Sequence, residues 1–297
     1  MRIAISGASG LLGDALIPAF EADGHELVRL VRREPTGAGE VAWDPAAGKL
    51  DPGALAGVDA IVNLSGATIG KRWTEARKRE ILESRVEATG LLARLAAELD
   101  PRPQVLVSAE GVGIYGDRGA EILTEESTLG TGFLAEVAQA QEAAADPARE
   151  AGIRVVGFRQ GIVLASEGGV LERMLTPFKL GLGGRVGGGK QWWSWIALDD
   201  VVAAYRLALE ADLAGAYNLC SPNPATSAQF TRALGRALGR PTILPLPAFA
   251  VRALFGKMGE ATLLEGQRAL PARLLEAGFE FRYPELDAAL ARALESS

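Results

Sequence analysis

The chain has 297 residues, of which 48% are hydrophobic and 23% charged, and this globular composition excludes wholesale disorder. Its 31 Lys and Arg residues stand against 37 Asp and Glu residues, and the net charge of −6 without a long basic run argues against nucleic-acid and anionic-membrane partners. Because Cys220 is the only cysteine and His25 the only histidine, we expect no disulfide, no metal and no Ser-His-Asp triad without His25.

The chain enters a strand-like run at once, at residues 2–6, with no charged-then-apolar leader before it. No apolar stretch reaches the roughly 18 residues that a bilayer-spanning helix needs. We therefore expect a cytoplasmic protein with no membrane partner.

Two hydrophobic periods alternate through the first half of the chain. Short apolar runs predict strands at residues 2–6, 26–31, 60–64, 105–108 and 155–158. Apolar residues at helical spacing predict helices over residues 11–22, 74–99 and 133–150, and the Gly- and Pro-rich residues 35–57 predict a loop. Strands separated by helical segments indicate right-handed βαβ units and a parallel sheet covered on both faces.

The second half lacks this simple repeat. Glycines at residues 168–169 and 181–189 and the tryptophans of residues 192–195 form loops, and a helical, Pro-punctuated tail follows with strand-like residues 242–245. We predict a smaller lobe over the carboxyl ends of the strands, where open α/β folds place ligands. The predicted division is a sheet domain of residues 1–165 plus 196–222 and a substrate lobe of residues 166–195 plus 223–297.

A G-x-x-G-x-x-G element joins the first strand to the first helix. Its early glycines let the backbone turn tightly and approach a diphosphate without a Cβ, and its last glycine lets the helix pack closely on the strand. The helix N-terminus presents N–H groups to the anion. The alternative is a purely structural turn. We predict a doubly wound Rossmann-type α/β fold with a dinucleotide bound at Gly7, Ser9, Gly10, Leu11, Leu12 and Gly13.

The end of the second strand selects between dinucleotides. A carboxylate there would accept a hydrogen bond from the 2′-hydroxyl of NAD, whereas this strand ends in Arg32 and Arg33, with no carboxylate before Glu34. A guanidinium can bind a 2′-phosphate in bidentate fashion, so the residues favour NADP(H). The alternative is that both arginines form a solvated strand end.

Several further motifs, taken with the glycine loop, are similar to those of one known group of proteins. They are Asn63-Leu64-Ser65-Gly66-Ala67, Lys71-Arg72-Trp73-Thr74, Ser84-Arg85, Val112-Gly113-Ile114-Tyr115-Gly116, Phe178-Lys179-Leu180-Gly181-Leu182-Gly183-Gly184, Trp195-Ile196-Ala197-Leu198-Asp199-Asp200 and Leu264-Glu265-Gly266-Gln267. The chain resembles, nearly end to end, the extended short-chain dehydrogenase/reductase superfamily. More narrowly it resembles the atypical NAD(P)-dependent epimerase/dehydratase-like branch, described as sugar-nucleotide epimerase-like or cell-division-inhibitor-like. The resemblance implies a Rossmann domain, a C-terminal substrate lobe and a nicotinamide cofactor.

The same resemblance implies further cofactor contacts. Leu64, Ser65 and Gly66 would pass beneath the adenosine and diphosphate, while Glu80 and Arg85 match positions that face the bound nucleotide. Without the resemblance, Glu80 and Arg85 are typical helix-surface charges.

Redox members of the superfamily use a Tyr-x-x-x-Lys pair on the helix after the fourth strand, where the lysine lowers the pKa of the phenol. The corresponding residues 132–139 of this chain contain neither tyrosine nor lysine. Relatives also carry a serine at the position of Glu110 and a histidine at the position of Ala197. Glu110 is then either a replacement acid/base or a sign that the role of the hydroxyl has lapsed. Tyr115 is a phenol close by that could donate a proton, or it packs under the substrate.

The segment of residues 181–195 is the candidate for substrate contact, because it combines glycines with basic and aromatic side chains suited to an anionic, flat-faced ligand. Its candidate residues are Arg185, Lys190, Gln191, Trp193 and Trp195, although the tryptophans could equally form the core between lobes.

Two hypotheses about the function of the protein follow. The first is an atypical reductase or epimerase acting on a small anionic or nucleotide-linked substrate, and the second is a non-catalytic NADPH-binding sensor or regulatory protein.

Overall fold

The computed structural model describes residues 1–295. Its strands are β1 (Arg2–Ser6), β2 (Glu26–Val31), β3 (Glu40–Asp44), β4 (Lys49–Leu50), β5 (Ala60–Asn63), β6 (Val105–Gly111), β7 (Ile122–Leu123), β8 (Arg154–Gln160), β9 (Ile162–Leu164), β10 (Trp192–Trp193), β11 (Trp195–Ala197), β12 (Gly215–Leu219), β13 (Ala225–Thr226) and β14 (Arg268–Ala269). Its α-helices are α1 (Leu11–Ala22), α2 (Glu75–Glu98), α3 (Phe133–Ala144), α4 (Asp146–Glu150), α5 (Gly169–Lys179), α6 (Leu198–Glu210), α7 (Ser227–Leu238), α8 (Ala248–Gly259), α9 (Ala272–Glu276) and α10 (Leu286–Glu295).

Eight of these strands form one sheet in the order β12-β8-β6-β5-β1-β2-β3-β4. Every neighbouring pair is parallel except β3 and β4 at the edge. The central strands are continuous apolar runs, as in β5, where all four residues are buried, because helices cover both faces. The predicted doubly wound α/β fold of Rossmann type is confirmed.

Two apolar layers sandwich the sheet. On one side Leu16 and Phe20 of α1 pack with Val201 and Tyr205 of α6, and on the other Leu92 of α2 packs with small residues of the α3–α4 region. No helix within residues 1–295 is both long and apolar enough to cross a membrane.

The C-terminal lobe is built from α5, α7, α8 and α10 around a third apolar cluster, which includes Trp195 and Phe230. It is joined tightly to the sheet domain. Leu274 and Phe279 pack into the core beside α1 and α6, and the buried carboxylate of Asp200 accepts hydrogen bonds from the backbone N–H groups of residues 282 and 283, at 2.7 and 3.1 Å. Residues of the predicted lobe therefore complete one core of the sheet domain.

Three local predictions need correction. Residues 35–57 are not all loop, since β3 adds to the free edge of β2 and buries Trp43. The helix predicted over residues 133–150 is interrupted at Ala145, just before Pro147, which has no backbone N–H to continue it. Residues 242–245 do not form a strand. Ile243 makes only an isolated β-bridge to Gly184, and the following Leu246 makes a second one to Val186.

Candidate functional site

A cleft of about 460 Å³ lies between the carboxyl ends of the central strands and the lobe. Its sheet-domain wall includes the start of α1, the loop after β5, the ends of β6 and β8, and parts of α2 and α3. Its lobe wall includes the start of α5 and residues 192–194, 261–263 and 265–267. A concave space of this size, bordered by a glycine-rich loop, is typical of small-molecule sites.

The glycine loop can form its tight turn and pack on its neighbours only because its glycines lack a Cβ. Gly7 has a φ of +71°, and a Cβ there would lie 2.7 Å from the carbonyl carbon of Leu64. At Gly13 a Cβ would lie 2.4 Å from the carbonyl oxygen of Ala8. Helix α1 begins after Gly10, which has no side chain to cap the first N–H groups, so these donors are available to an anion. The loop fits the diphosphate of a dinucleotide.

Arg85 gives the cleft a half-buried positive charge. Its Nη1 donates to the carbonyl oxygens of Ala67 and Ile81, both at 3.0 Å, and it has no acidic partner among residues 1–295. Burial, with Arg77 nearby, lowers the pKa of Arg85 to about 10, so the side chain remains charged at neutral pH. A buried cation without a carboxylate is stabilised by a bound anion. Arg85 lines the cleft beside Leu64, Ser65 and Gly66, the loop predicted to lie under the cofactor.

Glu80 does not share this position. Its side chain is 58% exposed and pairs with Arg77 at 2.5 Å, and it does not line the cleft. The cofactor contact expected for Glu80 stays a prediction, and this geometry gives it no support.

The two arginines at the end of β2 differ in their contacts. Arg33 binds both carboxylate oxygens of Glu40, at 2.9 and 2.5 Å, and donates to Thr36. The hydrogen bond from Arg33 lowers the pKa of the Glu40 carboxyl to about 2, so this pair is intact over the physiological range. Arg32 is exposed and makes no side-chain hydrogen bond within residues 1–295. Of the two, Arg32 has its guanidinium free for a phosphate.

Glu110 forms part of the cleft wall, but its carboxyl group turns inward. Both carboxyl oxygens are buried, and no donor among residues 1–295 reaches them. They lie over Gly157, where an added Cβ would be 2.6 Å from Oε2, and beside the carboxyl of Glu142. Burial and then the charge of Glu142 raise the pKa of Glu110 well above its usual range. Because both oxygens face the interior, direct substrate contact would need a rotated side chain.

Tyr115 does not line the cleft. The side chain is fully buried, and its hydroxyl donates to Asn218 Oδ1 at 2.7 Å and accepts from Arg159 Nη1 at 2.9 Å. Arg159 in turn binds both oxygens of Glu142, at 2.7 and 3.0 Å. Burial raises the pKa of the phenol. The expected donation from Tyr115 to a substrate is not what this position allows, and the residue joins a buried polar network instead.

Helix α3 presents apolar side chains where the superfamily has its proton-transfer pair. The helix contains neither tyrosine nor lysine, and Leu134, Val137 and Ala138 line the cleft. The one polar side chain that α3 contributes to the wall, Gln141, already donates to Ser108 and to the carbonyl of Ala109, at 3.1 and 2.9 Å.

The substrate-contact candidates are dispersed. Arg185 and Lys190 are exposed and lie outside the cleft wall, and the Gln191 amide donates to the carbonyls of residues 186 and 263. Trp195 is fully buried in the lobe core, where its indole N–H donates to the carbonyl of Asn223. Trp193 alone of the five lines the cleft. The sequence predicted an anionic substrate because of Arg185 and Lys190, and neither residue lines the cleft.

The sequence reasoning missed two residues of the lobe wall, Trp192 and Glu265. The segment containing Glu265 was used only as evidence of family resemblance, and Trp192 is the neighbour of the predicted contact residue Trp193. The sequence signal that could have found Glu265 is Gly266, because a glycine next to a carboxylate is unusual in a segment predicted to be helical.

Comparison with known proteins agrees with this geometry. The model of the NAD dependent epimerase/dehydratase family matches residues 3–220, which include the glycine loop and every strand of the central sheet. The chain belongs to this family. The predicted resemblance to the atypical epimerase-like branch of the short-chain dehydrogenases/reductases is confirmed. A second model, a domain of unknown function called DUF1731, matches residues 246–293 in the lobe.

Relatives within the family align over almost the whole chain. The epimerase family protein Mb2239 of Mycobacterium bovis is 45% identical over 98% of this chain and 97% of its own. A crystal structure of the human epimerase family protein SDR39U1 with NADPH has 37% identity and a TM-score of 0.91, with both chains covered completely. A nucleoside-diphosphate sugar epimerase of Corynebacterium glutamicum has 37% identity and a TM-score of 0.83, and the match covers 100% of this chain and 59% of that one.

Proposed function

We propose that this protein is an NADP(H)-dependent oxidoreductase or epimerase acting on a small molecule in the cleft. The observation that carries the proposal is a single cavity bordered by Leu11 and Leu12 of the glycine loop and by Trp192 and Trp193 of the lobe. A dinucleotide bound at the loop and a substrate bound at the lobe would share this cavity. The bound nicotinamide ring would supply hydride exchange, and the chain's own residues would hold and orient both molecules.

The geometry supports a set of cofactor-binding residues. The glycines from Gly7 to Gly13 admit the diphosphate to the backbone N–H groups of α1, and Arg85 supplies a half-buried countercharge. Arg32 binds the 2′-phosphate, because it lies at the end of β2 with its guanidinium unpaired among the described residues. The NADPH in the human SDR39U1 crystal structure supports the choice of NADP(H) over NAD(H).

Proton transfer is the step for which the chain lacks the superfamily's usual groups. Glu110 stays a predicted acid/base, since burial raises the pKa of its carboxyl, but its oxygens face the interior. Replacing Glu110 by Gln should abolish turnover if the carboxyl acts in proton transfer. Turnover equal to that of the unaltered protein would remove Glu110 from the mechanism.

A second candidate is a non-catalytic NADPH-binding sensor or regulatory protein. The observation that favours it is the apolar face of α3, where Leu134 and Val137 line the cleft and no proton-transfer pair is present. A protein partner whose affinity changes with NADPH would support this candidate, and any turnover would end it.

The test of the cofactor assignment is a titration of NADPH and NADH by calorimetry with three proteins. The unaltered protein should bind NADPH more tightly than NADH. Arg32→Ala should weaken NADPH binding about tenfold, or about 1.4 kcal/mol, and leave NADH binding unchanged. Arg33→Ala is the matched control and should have a smaller effect, since Arg33 is engaged by Glu40. Equal affinities of the unaltered protein for the two cofactors would contradict the assignment.

The test of catalysis is NADPH oxidation, or NADP reduction, across a panel of carbonyl compounds and sugar nucleotides.

A further inference from the structure

The exposed apolar side chains of the protein are concentrated on one region of the lobe. Ten large apolar residues of the described chain are exposed, and six of them lie within residues 180–182, 243–244 and 249–254. They are Leu180, Leu182, Ile243, Leu244, Phe249 and Leu254, with exposed fractions between 48% and 78%. Single exposed apolar residues are ordinary on a protein surface, whereas a group of them in one region is typical of an interaction surface.

The segments that carry these residues lie side by side. Residues 184–187 pair with residues 243–246 through two isolated β-bridges and the backbone hydrogen bonds between them. The two segments are so close that a Cβ at Gly184 would lie 1.6 Å from the carbonyl oxygen of Leu244. Helix α8, which carries the other two exposed apolar residues of the group, begins at Ala248, shortly after this pair. The six apolar residues therefore belong to neighbouring parts of the surface.

The same part of the chain is basic, although the chain as a whole is acidic. Residues 173–190 and 232–257 contain nine Lys and Arg residues and no Asp or Glu residue. The net charge of the chain is −6, so the remainder of the molecule is more acidic than this total indicates. We call the six exposed apolar residues and these nine cations the basic apolar face.

Carboxylates that contact this part of the lobe are already bound. Glu260 pairs with two of the nine cations and Asp287 with one. Glu172, next to the first range, accepts a hydrogen bond from the backbone N–H of Gly168 at 3.1 Å. The other six cations form no ion pair within residues 1–295, so the basic apolar face keeps a positive charge.

A hollow of about 380 Å³ lies at the end of α7, beside the apolar residues. Arg232, Arg236 and Arg240 line it, and so does Thr242, which directly precedes Ile243. Guanidinium groups bind carboxylates through paired hydrogen bonds, so a hollow lined by arginines fits an acidic side chain. An apolar surface next to such a hollow fits a partner that carries both apolar and carboxylate side chains.

We propose that the basic apolar face docks a segment of a partner protein that carries apolar and acidic side chains. The apolar side chains of that segment cover Ile243 and Phe249, and its carboxylates bind Arg232 and Arg240. No residue of the basic apolar face lines the cleft, so the inference goes beyond the proposed function and does not depend on the reaction in the cleft.

Charge complementarity favours this partner over two others. Two copies of the chain that meet through this face about a twofold axis would bring the same cations together without carboxylates to offset them. An anionic membrane would extend past the face and meet the acidic remainder of the chain. A peptide segment is small enough to meet the basic apolar face alone.

Three fluorescent, helix-forming peptides of equal length test the proposal with the full chain. The first presents leucines on one side and glutamates on the other, the second has lysines in place of the glutamates, and the third has alanines in place of the leucines. Fluorescence anisotropy should show the first peptide binding about tenfold more tightly than either of the others. Vesicles of phosphatidylcholine and phosphatidylglycerol should neither bind the protein nor displace the first peptide.

Ile243→Ser and Arg240→Glu should each weaken binding of the first peptide at least fivefold. Both variants should fold normally, because the Ile243 side chain is 78% exposed and the Arg240 side chain is exposed to solvent. The matched controls are Leu275→Ser on α9 and Arg94→Glu on α2, two exposed residues outside the face, which should leave the affinity unchanged.

The proposal is overturned if the lysine or the alanine peptide binds as tightly as the first, if either face variant keeps the full affinity, or if the vesicles bind and the peptide does not. Sedimentation of the protein alone tests a second copy as the occupant, and self-association that Ile243→Ser abolishes would also overturn the proposal. A titration of the same samples with NADPH reports separately on the proposed function.

Discussion

The burial and the hydrogen-bond partners of each side-chain group determine whether a residue near the cleft can contact a ligand. The carboxyl of Glu110 lies inside the wall and that of Glu265 on its surface, although both belong to residues that line the same cavity. The guanidinium of Arg33 is bound by Glu40, while that of its neighbour Arg32 is free within the described chain. Residue type alone would give the members of each pair the same role.

Gly13→Ala should weaken NADPH binding at least tenfold, or about 1.4 kcal/mol, because the added Cβ would lie 2.4 Å from the carbonyl oxygen of Ala8 and distort the diphosphate loop. Calorimetric titration measures the effect. Gly37→Ala is the control, since a Cβ there meets nothing within 4 Å. Equal losses of affinity in the two variants would contradict a specific role of the loop.

Glu110→Gln should change how stability depends on pH. The folded-state pKa of Glu110 is raised, so its contribution to stability is fully present below the unfolded-state pKa of about 4.3 and is lost as pH rises through the folded-state value. One such proton changes the free energy of unfolding by up to about 1.4 kcal/mol per pH unit. The introduced amide can donate to Glu142 at every pH, so above about pH 5 the variant should gain stability relative to the unaltered protein. Urea unfolding from acidic to mildly alkaline pH measures this, with Glu276→Gln as the control. Parallel curves for the Glu110→Gln variant and the unaltered protein would refute the raised pKa.

At the scale of elements, the site depends on which helix and strand ends meet. Helix α1 contributes its N-terminus, β6 and β8 contribute their carboxyl ends, and β10 with the segment before β14 contributes the lobe wall. Helix α3 lines the same cleft with apolar residues. The chain therefore keeps the helix on which the superfamily has its Tyr-x-x-x-Lys pair, but it lacks the tyrosine and the lysine.

Gly266→Ala should displace the lobe wall, because its Cβ would lie 1.9 Å from the carbonyl oxygen of Trp192. We expect a lower melting temperature, measured by thermal denaturation. Gly188→Ala is the control in the neighbouring glycine loop, where a Cβ meets nothing within 4 Å. If the two variants behave alike, the close contact with Trp192 has no role in shaping the wall.

At the scale of the molecule, the lobe packs directly against the sheet domain. Leu274 and Phe279 of the lobe pack into the core of the sheet domain, and Asp200 accepts hydrogen bonds from the backbone of the lobe. The predicted division into two units stays a prediction about chain segments.

Thermal unfolding should therefore show a single transition that NADPH shifts upward as a whole. At a free NADPH concentration of about 100 Kd, binding to the folded state alone adds about 2.7 kcal/mol. Calorimetric scans at several cofactor concentrations measure the shift. Two transitions, of which only one moves with NADPH, would show that the lobe unfolds independently.

The sequence by itself determined the alternation of strands and helices, the parallel sheet and the glycine loop, because apolar periodicity and the missing Cβ atoms of Gly7 and Gly13 are local properties. The family was also predicted and confirmed, and the NADP(H) expectation agrees with the NADPH in the human relative's structure. The tertiary structure alone decided that Tyr115 and Trp195 are core residues, that Arg185 and Lys190 lie outside the cleft, and that Glu265 lines it. Those outcomes depend on which distant segments meet and which groups lose contact with water, and residue type and spacing along the chain do not encode either.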